Sequence, residues 1–270
     1  MQSVVETSSS SLKSKPPQNS PAPPKNLLRI YVRKVYNYRM NFFLITPFLL
    51  QTALWPFMWV VLLVFGKITV LGRENIRRHE SGAIFAVNHS SQFDPILIPA
   101  TLNPFSALMP MFYLAREREF YEVSGLVQYI YGGMFFKIWG AYPVTVGTKG
   151  NYEYALRNHI EILERGQSVC IFPEGGKTPD GKIGEGKPGV AYLLWRTGRP
   201  VIPVAIHGHQ KMGPREFFSR KHSISVSYGK PITREELFGA KDSGTPPTQE
   251  QLKSATQTIM SRIREMYERI

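Results

Sequence analysis

The sequence predicts an α/β domain, a central sheet flanked by helices, behind an N-terminal membrane-embedded helical segment. Three observations carry this reading. No charged residue occurs from Met40 to Gly66. After Gly66, short apolar runs of strand length alternate with segments of helical periodicity, the pattern of an α/β fold. Two polar clusters, at Asn88–Pro95 and Pro173–Thr178, each follow directly on an apolar run, where such folds place functional groups, at the carboxyl ends of strands.

The elements follow in order. Residues 1–25 are rich in Ser, Pro, Gln and Lys without apolar periodicity and read as a disordered tail. They are not a secretory signal, since the apolar run begins too late and no clear small-residue cleavage site follows it. Residues 26–66 combine a basic segment, suited to a helix on a membrane surface, with the anchor. As one helix the charge-free run would reach about 40 Å against a hydrocarbon core of roughly 30 Å. Pro47 and Pro56 can each kink or break it. Arg39 lies before the run and Lys67, Arg73, Arg77 and Arg78 after it, so charge selects no orientation. One kinked span and a re-entrant pair with both ends on one side stay open.

Residues 67–240 form the predicted catalytic domain. Strands are expected at Lys67–Leu71, Ala83–Val87, Leu108–Leu114, Ala141–Val146, Ser168–Phe172, Val201–Ile206 and Ser223–Tyr228. Tyr152, Leu156, Ile160 and Leu163 share a helical face that Asn151 is placed to cap, and Gly189–Arg196 is a second helix. Residues 241–270 comprise a loop, Lys241–Pro247, and an amphipathic helix. Thr248 and Gln251 form its capping box, and its apolar face is Leu252, Ala255, Ile259, Ile263, Met266 and Ile270.

Charge and cysteine content narrow the function classes. The net charge is +13, and residues 1–40 hold seven Lys/Arg against the single acid Glu6. Basic charge beside an apolar segment suits an anionic lipid surface. No zinc-finger, basic-zipper or RNA-binding signature accompanies it, so nucleic acid is not expected as a partner. The single cysteine, Cys170, excludes an intramolecular disulfide and a cysteine-rich zinc site, and its apolar setting predicts a buried thiol.

Two constellations carry chemistry. In Asn88-His89-Ser90-Ser91-Gln92-Phe93-Asp94, four residues separate the histidine from the aspartate, room for a turn that returns the carboxylate to the imidazole. A carboxylate on one ring nitrogen fixes the tautomer and leaves the other to take a proton from an alcohol. The competing account makes Asp94-Pro95 a helix opening and His89 a core residue. In the second constellation, Phe172-Pro173-Glu174-Gly175-Gly176-Lys177, the glycines let backbone approach a ligand and Lys177 supplies charge for a phosphate. A plain glycine-rich turn is the alternative. Gly181–Lys187 imitates a P-loop, but Pro188 stands where the hydroxyl residue is needed, which excludes nucleotide hydrolysis of that type. No G-x-S-x-G elbow occurs. His207 and His209 lack a visible third ligand, so no metal site is expected.

Taken together, these segments resemble the glycerolipid acyltransferases, most of all the 1-acylglycerol-3-phosphate acyltransferases. Asn88-His89 through Asp94 is similar to the family's N-H-x4-D block, whose histidine is the base and whose aspartate orients it. Phe172-Pro173-Glu174-Gly175 resembles the block that binds the glycerol phosphate acceptor. Val201-Ile202-Pro203-Val204 and Gly140-Ala141-Tyr142-Pro143-Val144 resemble the remaining two, and all four stand in order. The resemblance implies a mixed central sheet, with His89 and Asp94 catalytic and Glu174, Gly175, Gly176 and Lys177 at the acceptor. It implies no resident cofactor, acyl-CoA or acyl-acyl carrier protein as co-substrate, and a membrane location with the catalytic domain facing the cytoplasm. Membrane lipids and a lysophospholipid acceptor are the implied partners. Departures affect the acceptor: Gly176-Lys177 replaces the usual Thr-Arg, and Thr145-Val146 replaces the usual Asp-Arg. Lysine keeps the charge but loses bidentate phosphate geometry, for which Lys149, Lys182 or Lys187 could compensate. An ornithine lipid or another lysophospholipid as acceptor, and a non-catalytic lipid-binding protein, are the rival readings.

Overall fold

The computed structural model describes residues 45–76, 81–91, 93–115, 134–145, 150–178, 182–208, 223–239 and 245–270, with positions 210, 215, 218 and 219. The tail at 1–25, the basic segment Asn26–Arg39, the start of the charge-free run, Val146, Lys149, Gly181, His209 and residues 241–244 lie outside the described residues.

Seven strands form one sheet in the order β1–β7–β6–β2–β5–β3–β4. They are β1 (Ile68–Leu71), β2 (Ile84–Val87), β3 (Met111–Ala115), β4 (Ala141–Pro143), β5 (Ser168–Ile171), β6 (Val201–His207) and β7 (Ile224–Tyr228). Every neighbouring pair is parallel except β6 and β7, so β1 and β7 run against the other five and the sheet is mixed. Strand β2 is central, and Ala83 to Val87 are all fully buried. A strand covered on both faces reads as an unbroken apolar run, which is what this segment shows.

All seven expected strands are present, with shifted ends. Strand β3 starts at Met111 rather than Leu108, because Pro110 has no N–H to give the ladder. Strand β4 stops at Pro143 rather than Val146. The N–H of Thr145 there turns to the carbonyl of Ala155 at 3.2 Å.

The helices are α1 (Ile45–Gly66), α2 (Asp94–Thr101), α3 (Met134–Trp139), α4 (Tyr152–Ala155), α5 (Arg157–Glu164), α6 (Gly189–Thr197), α7 (Arg234–Phe238) and α8 (Gln249–Glu268). Asn151 caps α4 by accepting from the N–H of Tyr154. The single helix expected there is two, because Leu156 leaves helical geometry between α4 and α5. The capping box of α8 is closed in both directions, Thr248 accepting from Gln251 and Gln251 from Thr248. Leu252, Ala255, Ile259 and Ile263 are buried as expected, whereas Met266 and Ile270 are half-buried. Helices α2, α3 and α7 lack a long apolar period, and the sequence reading did not delimit them.

Helix α1 runs unbroken through Pro47 and Pro56 and closes in a π-helical turn, Leu62–Gly66. It is long and apolar enough to cross a membrane, with a mean hydropathy of 2.0. Yet one of its faces is docked on the α/β domain. The Gln51 amide nitrogen donates to the carbonyls of Met111 (2.8 Å) and Trp139 (3.1 Å), and its oxygen accepts from the N–H of Met111 at 2.9 Å. The Trp55 indole donates to the carbonyl of Leu102 at 2.8 Å, and Leu62 joins the main core. On the other face Ile45, Phe48, Leu49, Phe57, Val60, Leu63 and Val64 are exposed.

Candidate active site

The site is built where β2 ends. Asn88, the first residue past the strand, joins it to β6: its amide donates to the Ile206 carbonyl (3.0 Å) and accepts from the Ile206 N–H (2.7 Å). With that anchor set, the chain turns through His89–Ser91 and re-enters a helix at Asp94. Both accounts of Asp94-Pro95 hold in part: α2 does open there, with Pro95 in its first turn. The carboxylate, however, points back into the preceding loop. One oxygen, Oδ2, accepts from His89 Nδ1 (2.8 Å), the Ser90 N–H (2.9 Å) and the Ser91 N–H (3.1 Å). Asp94 has no exposed surface, and a buried carboxylate is tolerable only with such donors. A carboxylate only accepts, so Nδ1 carries the hydrogen and Nε2 keeps a lone pair. Nε2 has no partner among the described residues, and the imidazole is 18% exposed.

The second cluster closes over the first. The ring of Phe172 stacks on His89, centroids 4.2 Å apart. Glu174 Oε1 accepts from the His89 N–H at 2.8 Å, and Oε2 accepts from the Gly184 N–H at 3.0 Å. Thr178 donates to the His89 carbonyl through its N–H (2.9 Å) and its hydroxyl (3.3 Å). The backbone and the ring of His89 are thus both held by residues more than eighty positions away. Gly175 adopts φ +71°, a conformation that L side chains avoid. Gly176 is half-buried beside it, and Lys177 is exposed, with no ion pair or hydrogen bond among the described residues.

The P-loop look-alike has a different use. Residues 182–187 form no phosphate cradle on a helix: Gly184 donates to Glu174, and Lys187 donates its N–H to the Pro173 carbonyl at 2.7 Å. His207 ends β6 and packs edge-on against Tyr267, ring centroids 5.0 Å apart. Cys170 is fully buried, and burial with the nearby Asp94 charge pushes its thiol up.

A family model for acyltransferase domains matches residues 67–207, more than half of the chain. The chain belongs to the acyltransferase family. A chloroplast 1-acyl-sn-glycerol-3-phosphate acyltransferase of Arabidopsis thaliana is 26% identical over 170 residues, covering 62% of this chain and 44% of its own. A Bacillus subtilis protein of the same name is 25% identical over 207 residues, covering 77% of this chain and 92% of its own. This acyltransferase therefore spans less than half the length of the plant chloroplast relatives it matches. The crystal structure of a Thermotoga maritima 1-acyl-sn-glycerophosphate acyltransferase superposes with a TM-score of 0.53 at 20% identity, over 90% of this chain and 94% of that one. That likeness shows the shared fold.

The sequence reading brought His89, Asp94, Glu174 and Gly175 to one place, and the structure gathers all four. It missed Phe172 and Thr178 as contacts of His89, and Gly184 as the second donor to Glu174. Phe172 and Thr178 lie at the two ends of a segment already singled out, with no role assigned to either. Gly184 carries no signal, since only folding brings its N–H to Glu174.

Proposed function

We propose that the acyltransferase moves a fatty acyl group from a thioester to the free hydroxyl of 1-acylglycerol 3-phosphate, giving phosphatidic acid. The observation that carries this reading is the dyad: His89 Nδ1 lies 2.8 Å from the oxygen of a wholly buried Asp94, and Nε2 is unengaged among the described residues. His89 Nε2 takes the proton of the acceptor hydroxyl as its oxygen attacks the thioester carbonyl. The tetrahedral intermediate collapses with loss of the thiolate, which takes the proton back from His89. Asp94 holds the tautomer and balances the transient imidazolium. No acyl-enzyme is required. The donor is acyl-CoA or acyl-acyl carrier protein, consumed as co-substrate. Glu174 serves in this reading as a positioning residue for His89, and Gly175, Gly176 and Lys177 border the acceptor. The names of the relatives support this acceptor. The replacement of arginine at 146 and 177 favours, as a second reading, a different lysolipid or an ornithine lipid. Thioester consumption measured with and without lysophosphatidic acid decides: release of free thiol that depends on lysophosphatidic acid supports the first reading, and its absence removes that acceptor.

Helix α1 supports a membrane location of a particular kind. Gln51, Trp55 and Leu62 tie one face of the helix to the domain along much of its length. The opposite face is apolar and without a charge, which water does not stabilise. Such a helix suits a seat in the plane of one leaflet, with the domain against the bilayer on its cytoplasmic side. High-salt washing should then leave the protein bound, and detergent should release it, because apolar burial is not screened by salt. Both flanks of α1 should be open to protease from the same side of sealed vesicles.

A further inference from the structure

Lys187 lies thirteen residues past Glu174, outside the Phe172–Gly175 motif, yet its side chain returns to it. A Cβ added at Gly175 would stand 2.5 Å from Lys187 Nζ, 2.6 Å from Cε and 2.8 Å from Cδ. The lysine stem therefore lies on the bare face of this glycine, which is required twice, for φ +71° and for the space. Lys187 is also placed from below. Its N–H donates to the Pro173 carbonyl at 2.7 Å, and the preceding segment is pinned by the Gly184–Glu174 bond. Arg264 of α8 donates to the Gly184 carbonyl at 2.9 Å, and a Cβ at Gly186 would meet Thr256 and Met260 of α8 at 2.7 Å. The backbone that carries Lys187 is thus held at several points, and its side chain runs over Gly175 with an exposed end.

The two oxygens of Glu174 receive the N–H groups of His89 and Gly184, and the Lys187 ammonium has no ion-pair partner among the described residues. Hence an exposed ammonium with no ion pair among the described residues stands on the same segment that grips the His89 backbone. An ammonium so placed is a binding point for an anion that must sit beside the reacting hydroxyl.

We infer that Lys187 binds the phosphomonoester of the acceptor and sets the preference for it, in place of the arginine that the resemblance leads one to expect at position 177. The inference rests on the acceptor proposed above. Lys177 is exposed as well, and it is the Lys187 stem that lies nearest to Gly175.

The test uses the full-length protein in mixed micelles, with initial rates measured against lysophosphatidic acid and against the thioester. Lys187→Met should raise the KM for lysophosphatidic acid roughly 10- to 100-fold, as loss of a charge-assisted contact does, and leave the thioester KM within about two-fold. Lys187→Arg should recover most of that loss, which a merely packed lysine stem would not predict for Met. Inhibition by glycerol 3-phosphate should weaken in parallel in Lys187→Met. A Lys187→Met protein whose KM for lysophosphatidic acid matches wild type overturns the inference and leaves the proposed function standing. A wild-type protein that acylates only acceptors lacking a phosphomonoester overturns both.

Discussion

The two loops that make the site are held together in opposite ways. The His89–Asp94 loop is closed on itself: one carboxylate oxygen collects the imidazole and two backbone N–H groups within five residues of sequence. The loop from Phe172 to Lys187 depends on distant elements, the His89 backbone on one side and Arg264, Thr256 and Met260 of α8 on the other. In the proposed mechanism the first loop creates the reactive group, and the second aims it. Chemistry and aim are thus separable, and substitutions in the two loops should fail differently.

The largest effect belongs to the reactive group itself. His89→Ala should lower kcat by about 10²–10⁴-fold, the usual worth of a general base, with little change in melting temperature, since the ring is partly exposed and serves no core. A folded variant with near-normal turnover would falsify the proposed mechanism. Asp94→Asn should come next, lowering kcat by roughly 10²-fold. The amide cannot hold Nδ1–H and two further N–H donors on equal terms, and it leaves the imidazolium unbalanced. Because Asp94 is buried, circular dichroism and a melting curve should accompany the rates.

Glu174→Gln tests the aiming loop. One end of the amide would present N–H to a backbone N–H, so one of the two braces is lost. A loss of about 1.4 kcal/mol in holding His89 corresponds to about ten-fold in kcat. The thioester KM should not move. An effect as large as that of His89→Ala would show that the two loops are not separable. The smallest effect on activity is expected at His159, which lies in neither loop. It is fully buried on α5, its Nε2–H donates to the Tyr113 carbonyl at 3.3 Å, and burial lowers its pKa from 6.5 to about 4. The folded protein therefore holds the neutral ring. Stability from this group is complete above pH 6.5 and declines as pH falls toward 4. Over that interval the loss amounts to about 3 kcal/mol. Denaturant titrations between neutral and mildly acidic pH should show a flatter dependence in His159→Leu, with rates at neutral pH close to wild type.

The same contrast explains what the sequence could disclose. The strands were legible because β2, β5 and β6 are buried on both faces and so appear as uninterrupted apolar runs. Helix α8 was legible through its capping box. The dyad was legible because its partners lie five residues apart and a turn suffices to join them. The brace of Glu174 on His89 was not, since it joins residues eighty-five positions apart. Lys187 was visible only as one of several lysines, and its place over Gly175 follows from tertiary packing. Helix α1 misled in a related way. Its composition marked an apolar anchor but gave no sign of the contacts by which Gln51 and Leu62 dock it on the sheet. A truncation at Lys67 would therefore remove a core contact as well as the apolar surface.

The reversal of two strands has a kinetic consequence. Because β7 runs antiparallel to β6, its second residue, Ser225, lies beside His207, at the end of β6, and Ile68 of β1 pairs with Ile224, where β7 starts. The last turn of α1, one residue before β1, is therefore brought to the same edge of the sheet from which His89 projects. In the proposed seating, a leaflet that receives α1 would lie level with the reacting hydroxyl of a lysolipid, which would not need to leave the bilayer to be acylated. Substrate would then arrive by diffusion in two dimensions. Rates should follow its mole fraction in the lipid surface rather than its bulk concentration, and diluting the surface with inert lipid should slow turnover at constant total substrate.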